Sequence, residues 1–196
     1  EELYAIPGDF LGDGSTQFMV IVGNNYICKF SVDGVSSDIG YCKRIYLTDI
    51  NGNGKQELMC MTDNTTNFYE YSKLSNSFVN IYSTNSFHYK DKIYVGDFNG
   101  DGNTDILRQE YIRSYGYWSI WNSTGKSLFD SGVDKNIFHG KMNVEPLLMD
   151  VNQDGKTDIL IKYPNYVSGA ASEGTMELLL NIGGRFVTVL QSTKKM

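Results

Sequence analysis

The chain has 196 residues and a mass of 22.1 kDa, enough for one substantial core. With 41% apolar residues, 20 glycines and only 3 prolines it reads as a turn-dense folded chain, not a disordered one. A net charge of −6 without a basic stripe argues against nucleic-acid binding, and no apolar run approaches the roughly 18 residues that cross a membrane as a helix.

Strand signals, short runs rich in β-branched and aromatic residues, come in four sets. The first covers 3–8, 17–22 and 26–31, with a weak fourth strand near Val35. The second covers 44–48, 56–62, 67–72 and 77–83. The third covers 92–96, 104–111, 116–122 and 126–130. The fourth covers 144–149, 157–163, 175–181 and 185–190, with Gly183 and Gly184 turning the last pair.

Between the first two strands of every set stands the same phrase, D-x-[DN]-x-[DN]-G-x-x-[DE] or a decayed form of it. It begins at Asp9, Asp49, Asp97 and Asp150. Oxygens at positions 1, 3, 5 and 9, with the backbone carbonyl at position 7, are the hard donors that Ca²⁺ takes in sixes to eights, and the glycine at position 6 permits the turn. The third loop offers Asp97, Asn99, Asp101, Asp105 and the carbonyl of Asn103. The fourth offers Asp150, Asn152, Asp154, Asp158 and the carbonyl of Lys156. The second offers Asp49, Asn51, Asn53, Glu57 and the carbonyl of Lys55, with two formal charges where the others have three. The first is expected to be a metal-free turn, because Leu11 stands at position 3 and Gln17 at position 9. Asn/Asp/Gly turns arise without metal, but two complete copies and one near-complete copy outweigh that reading. The sequence therefore predicts bound Ca²⁺ in loops three and four, and in loop two.

An EF-hand opens the same way, yet it needs an acid at position 12 and flanking helices. Position 12 is Val20, Cys60, Arg108 and Ile161, and the flanks are strand-like. The loops hold ten acids, so the rest of the chain carries a net charge of +4. Acidity is thus concentrated where a cation would sit.

A repeat of roughly 40–50 residues holding four strands has the size of a propeller blade. The expected fold is all-β and β-propeller-like: four repeats of four antiparallel strands, over about 1–40, 41–88, 89–140 and 141–196, in a single domain spanning 1–196. Four blades either close on themselves or form a segment of a larger propeller.

These loops and flanks resemble the FG-GAP family, also called VCBS repeats, of extracellular β-propellers such as the integrin α-chain head. Segments like Tyr94-Val-Gly-Asp97-Phe-Asn-Gly-Asp-Gly are also similar to repeats of large bacterial surface and toxin-related proteins. The resemblance implies a Ca²⁺ loop between the first two strands of each blade and an extracellular or cell-surface setting. It does not imply one biochemical activity; the expected function is a calcium-stabilised, non-catalytic adhesion or interaction module within a larger polypeptide, with a protein or glycan ligand.

No nucleophile constellation appears. His88 and His139 lie far apart in predicted loops, and no G-x-S-x-G elbow occurs. The alternatives are a carbohydrate-binding lectin or a module of a polysaccharide-active enzyme, for which Tyr117 and Trp121 on one strand face would be a stacking platform. Packing is the plainer role for Tyr115, Tyr117, Trp118 and Trp121. Cys28, Cys42 and Cys60 show no metal spacing and read as small buried hydrophobes, with pairing of two of them the alternative for a secreted chain.

Overall fold

The computed structural model describes residues 3–22, 27–30, 36–111, 118–130, 144–162 and 176–192. They form sixteen strands and, among the described residues, no helix. The strands are β1 Leu3–Gly8, β2 Gln17–Val22, β3 Ile27–Phe30, β4 Ser36–Asp38, β5 Arg44–Thr48, β6 Glu57–Met61, β7 Thr66–Ser72 and β8 Ser77–Thr84. They continue as β9 Lys92–Gly96, β10 Asp105–Gln109, β11 Trp118–Ser123, β12 Leu128–Asp130, β13 Glu145–Met149, β14 Asp158–Lys162, β15 Met176–Ile182 and β16 Arg185–Ser192.

Each repeat is one four-stranded antiparallel sheet, as the sequence predicts, and its strands lie in chain order. The chain divides into two compact units, Glu1–Lys90 with Gly125–Ser127, and Asp91–Thr124 with Leu128–Met196.

In the first unit, the sheets of repeats one and two enclose a core of Phe10, Met19, Ile21, Leu58, Tyr71 and Phe78. Strand alternation places Met19 and Ile21 inward while Phe18 is exposed. Cys42 and Cys60 join in a disulfide, with Cα atoms 5.3 Å apart and both side chains buried. The expectation that they are unpaired hydrophobes is thereby corrected: Cys60 on β6 lies opposite Ile45, and Cys42 just before β5 comes within bridging distance. In the second unit, Phe98, Leu107, Trp118, Ile120, Ile159, Ile161 and Leu179 make the equivalent core.

Both units join their repeats in the same way. The Gln56 N–H donates to the Asp9 carbonyl at 2.8 Å, and the Thr157 N–H donates to the Asp97 carbonyl at 2.6 Å. The residue before each receiving aspartate is glycine for a steric reason. A Cβ on Gly8 would come 2.7 Å from Gln56 Oε1, and one on Gly96 would come 2.6 Å from Thr157 Oγ1. The second loop position supplies an aromatic anchor. Phe10 meets Phe78 edge-on at 5.9 Å, and Phe98 meets Phe186 at 6.4 Å.

Candidate metal-binding loops

The four loops share one backbone cage. In loop three, Asp97 Oδ1 accepts the N–H groups of Gly100 (2.6 Å) and Asp101 (3.3 Å), and Oδ2 accepts that of Gly102 (2.8 Å). Asn99 Oδ1 accepts the Asp101 N–H and Asp101 Oδ1 accepts the Asn103 N–H. Loop four repeats this pattern through Asp150, Asn152 and Asp154, and loop two through Asp49, Asn51 and Asn53. Gly102 sits at φ 83° and Gly155 at φ 82°, in the left-handed region that a side chain resists.

The closing residue at position 9 has a role that sequence reasoning missed. Gln17, Glu57, Asp105 and Asp158 are all buried. Each turns inward and accepts the N–H of position 2: Phe10 at 2.8 Å, Ile50 at 2.9 Å, Phe98 at 2.8 Å and Val151 at 2.9 Å. Asp105 Oδ1 also accepts the Ser123 N–H from β11 at 2.7 Å, and Asp158 Oδ1 accepts the Asn181 N–H from β15 at 2.8 Å. Position 9 therefore braces loop to sheet. Burial raises the Asp105 carboxyl from 3.8 to about 6, against the pull of the Ser123 and Phe98 amides, with Asp101 and Asp97 adding like-charge repulsion. Burial lifts Glu57 further, from 4.5 to about 8, with Asp49 and Glu70 also raising it. Glu57 Oε1 is buried without a hydrogen-bond partner.

Loop one closes on itself. Gln17 Oε1 accepts the Phe10 and Leu11 N–H groups. Its Nε2 donates to the Ser15 carbonyl at 3.0 Å, to Ser15 Oγ at 2.7 Å and, more weakly, to Asp13 Oδ1 at 3.5 Å. Those carbonyl and carboxylate oxygens are the position-7 and position-5 donors, so an amide N–H₂ group stands where a cation would. Hydrogen bonds from Ser15 hold the Asp13 carboxyl below its usual range.

The oxygens of loops three and four suit a hard cation in chemistry and in lone-pair count. A carboxylate offers about four lone-pair sites and a carboxamide oxygen two. Asp97 uses three, while Asp101, Asp105 and Asn99 each keep at least one in reserve. Among the described residues, no three acidic, histidine or cysteine side chains already stand together as a metal group. Glu70 from β7 also reaches loop two, accepting from Asn51, Asn53 and Lys55. Burial opposes its ionisation, but these donors outweigh that and hold its carboxyl below the usual range.

Trp118 lies in the core, as the packing reading expects. Trp121 is half-buried and donates from Nε1 to Ser119 Oγ at 3.0 Å. Tyr115, Tyr117 and His139 lie outside the described residues. His88 Nδ1 accepts the Lys90 N–H.

Residues 49–108 match the FG-GAP-like repeat family. The chain carries an FG-GAP-like repeat. The match takes in loops two and three, the strands β6 to β9 between them and most of β10. Protein linkin of Caenorhabditis elegans is 35% identical over an alignment of 94 residues that covers 44% of this chain and 15% of linkin. A solved structure of an Agrocybe aegerita lectin, described as recognising non-reducing terminal N-acetylglucosamine, is similar with a TM-score of 0.63 at 16% identity. It covers 97% of this chain and 52% of the lectin. That likeness shows the fold, which is β-propeller-like. The chain thus spans about half of the lectin and a small part of linkin.

Proposed function

We propose that the chain is a calcium-stabilised, extracellular β-propeller module that engages a protein or glycan partner and does not itself catalyse a reaction. The observation that carries this reading is the cage of loops three and four. Its position-1, -3, -5 and -9 oxygens keep lone pairs in reserve, whereas in loop one the Gln17 amide occupies the equivalent place. Ca²⁺ would be held by Asp97, Asn99, Asp101 and Asp105 with the Asn103 carbonyl, and by Asp150, Asn152, Asp154 and Asp158 with the Lys156 carbonyl. It would likewise be held by Asp49, Asn51, Asn53 and Glu57 with the Lys55 carbonyl. The cation supplies positive charge that relieves repulsion among loop acids. The buried disulfide supports an oxidising, extracellular setting. The exposed apolar side chains Leu147, Met176, Ile182, Val187 and Leu190 on the last sheet support membership of a larger assembly.

Equilibrium dialysis against Ca²⁺ tests this reading: loops two, three and four each take up an ion and loop one takes none. No uptake at millimolar Ca²⁺ would overturn it. A carbohydrate ligand is the second reading, favoured by the fold likeness to the lectin. Glycan-array binding lost on Trp121→Ala would support it, and turnover on a polysaccharide panel would overturn the non-catalytic reading.

A further inference from the structure

Loop two lacks a charge that its counterparts have. Asn53 stands at position 5, where loops three and four place Asp101 and Asp154. Those two acids do one thing in common. Asp101 Oδ2 accepts Nδ2 of Asn99 at 2.9 Å, and Asp154 Oδ2 accepts Nδ2 of Asn152 at 3.1 Å. In loop two the equivalent amide, Asn51 Nδ2, donates instead to Glu70 Oε2 at 2.9 Å. The same Glu70 oxygen accepts from Asn53 Nδ2 at 2.8 Å, and Oε1 takes the Lys55 ammonium at 3.1 Å. A carboxylate oxygen therefore meets the position-3 amide in all three loops, but in loop two it comes from the third strand of the sheet.

The strand register bears on why an acid is there. Leu58 pairs with Tyr69, so Glu57 lies opposite Glu70 on β6 and β7. Like charges directly opposite one another destabilise a sheet unless something positive sits between them. The positions opposite Asp105 and Asp158 are Asn122 and Leu180, which follow from the pairs Ile106 with Trp121 and Ile159 with Leu179. Neither is acidic, and both face loops that have their own position-5 acid. Independently, Glu57 Oε1 is fully buried in the same loop and has no hydrogen-bond partner.

We propose that Glu70 is a further calcium-ligating residue, supplying loop two with the carboxylate that Asn53 lacks. With it, loop two has three formal charges, Asp49, Glu57 and Glu70, as loops three and four do. This rests on the calcium reading of the loops. The same geometry makes Lys55 the counter-charge of Glu70 while no cation is bound.

Calorimetric titration of the full chain with CaCl₂ tests this in the wild type, in Glu70→Gln and in Asn53→Asp/Glu70→Gln. Glutamine keeps an acceptor for Asn51 and Asn53, so the first variant removes charge and leaves the tether. The expected result is that Glu70→Gln weakens one of the calcium sites by about tenfold or more, because ligand charge count tunes affinity in such loops. The double variant, with its acid back at position 5, recovers that site. Unchanged binding in Glu70→Gln, or failure of Asn53→Asp to recover it, overturns the assignment while leaving the calcium reading intact. A wild-type chain that takes up no calcium overturns both.

Discussion

Positions 5 and 9 of the loops have different work to do, and Asp158 and Asp154 separate them. Asp158 is fully buried and accepts two backbone N–H groups, from Val151 at 2.9 Å and Asn181 at 2.8 Å. Hydrogen bonds to a charged group contribute about 1.5–3 kcal/mol each, and truncation leaves two buried donors unmet, so Asp158→Ala should cost about 3–6 kcal/mol. For a chain of this size each kcal/mol lowers the melting point by about 2–4 °C, which makes a fall on the order of 10–15 °C. That loss needs no calcium and should appear in full in EDTA. Asp154 is exposed, and among the described residues its carboxylate accepts from the Lys156 N–H and Asn152 Nδ2, both within its own loop. Asp154→Ala should cost less than about 1 kcal/mol in EDTA and remove stabilisation only when calcium is added. Thermal unfolding by circular dichroism, with and without Ca²⁺, reads both. If Asp158→Ala were harmless in EDTA, or if the two variants lost equal stability there, position 9 would not be a brace.

Other outcomes follow from the same structure. Gly96→Ala would set a Cβ 2.6 Å from Thr157 Oγ1 and 2.9 Å from its Cγ2; urea denaturation should show a loss of about 1–3 kcal/mol, largely restored by Thr157→Ala. Replacing both Cys42 and Cys60 by alanine opens a link across a sequence separation of 18 residues and should cost about 3 kcal/mol in the same assay. The Glu57 carboxyl is raised in the folded state, so its protonated form favours folding. Its contribution is complete below about pH 4.5 and is lost as pH rises towards 8. In EDTA, wild-type stability should therefore decline over that interval relative to Glu57→Gln, whose side chain has no charge to bury.

The strands were legible because glycines and Asn/Asp turns punctuate them. β1, β2, β5 and β9 begin and end where the residue pattern puts them. The second strand of each later repeat starts one residue further on than the apolar run implies, at Glu57, Asp105 and Asp158. For Gln56 and Thr157 the reason is visible: their N–H groups serve the carbonyl of the preceding loop's first aspartate, not the strand ladder. A single repeat cannot reveal such a bond, since it depends on a partner some fifty residues away. The side chains at positions 1, 3 and 5 hydrogen-bond within one loop, but spacing alone does not show that position 9 turns into the sheet. Gln17 was a signal available to reading, because a neutral amide can replace both the acid and the cation. Glu70 was legible only through register: an acid opposite Glu57 is a like-charge pair that needs a reason. Cys42 and Cys60 gave no such sign, as their separation matches no metal or redox motif and their meeting depends on the packing of β6 beside the segment before β5.

The most direct test of the account is thermal unfolding of the chain in EDTA and again in millimolar Ca²⁺, beside an Asp101→Asn/Asp154→Asn variant. Those two acids are exposed and brace nothing in the sheet, so the variant should match the wild type in EDTA. Ligand at a hundredfold excess over its Kd adds about 2.7 kcal/mol per site. Calcium should raise the wild-type melting point and raise that of the variant far less. A melting point unmoved by calcium in both proteins would contradict it, leaving the loops as turns tied by their own backbone hydrogen bonds.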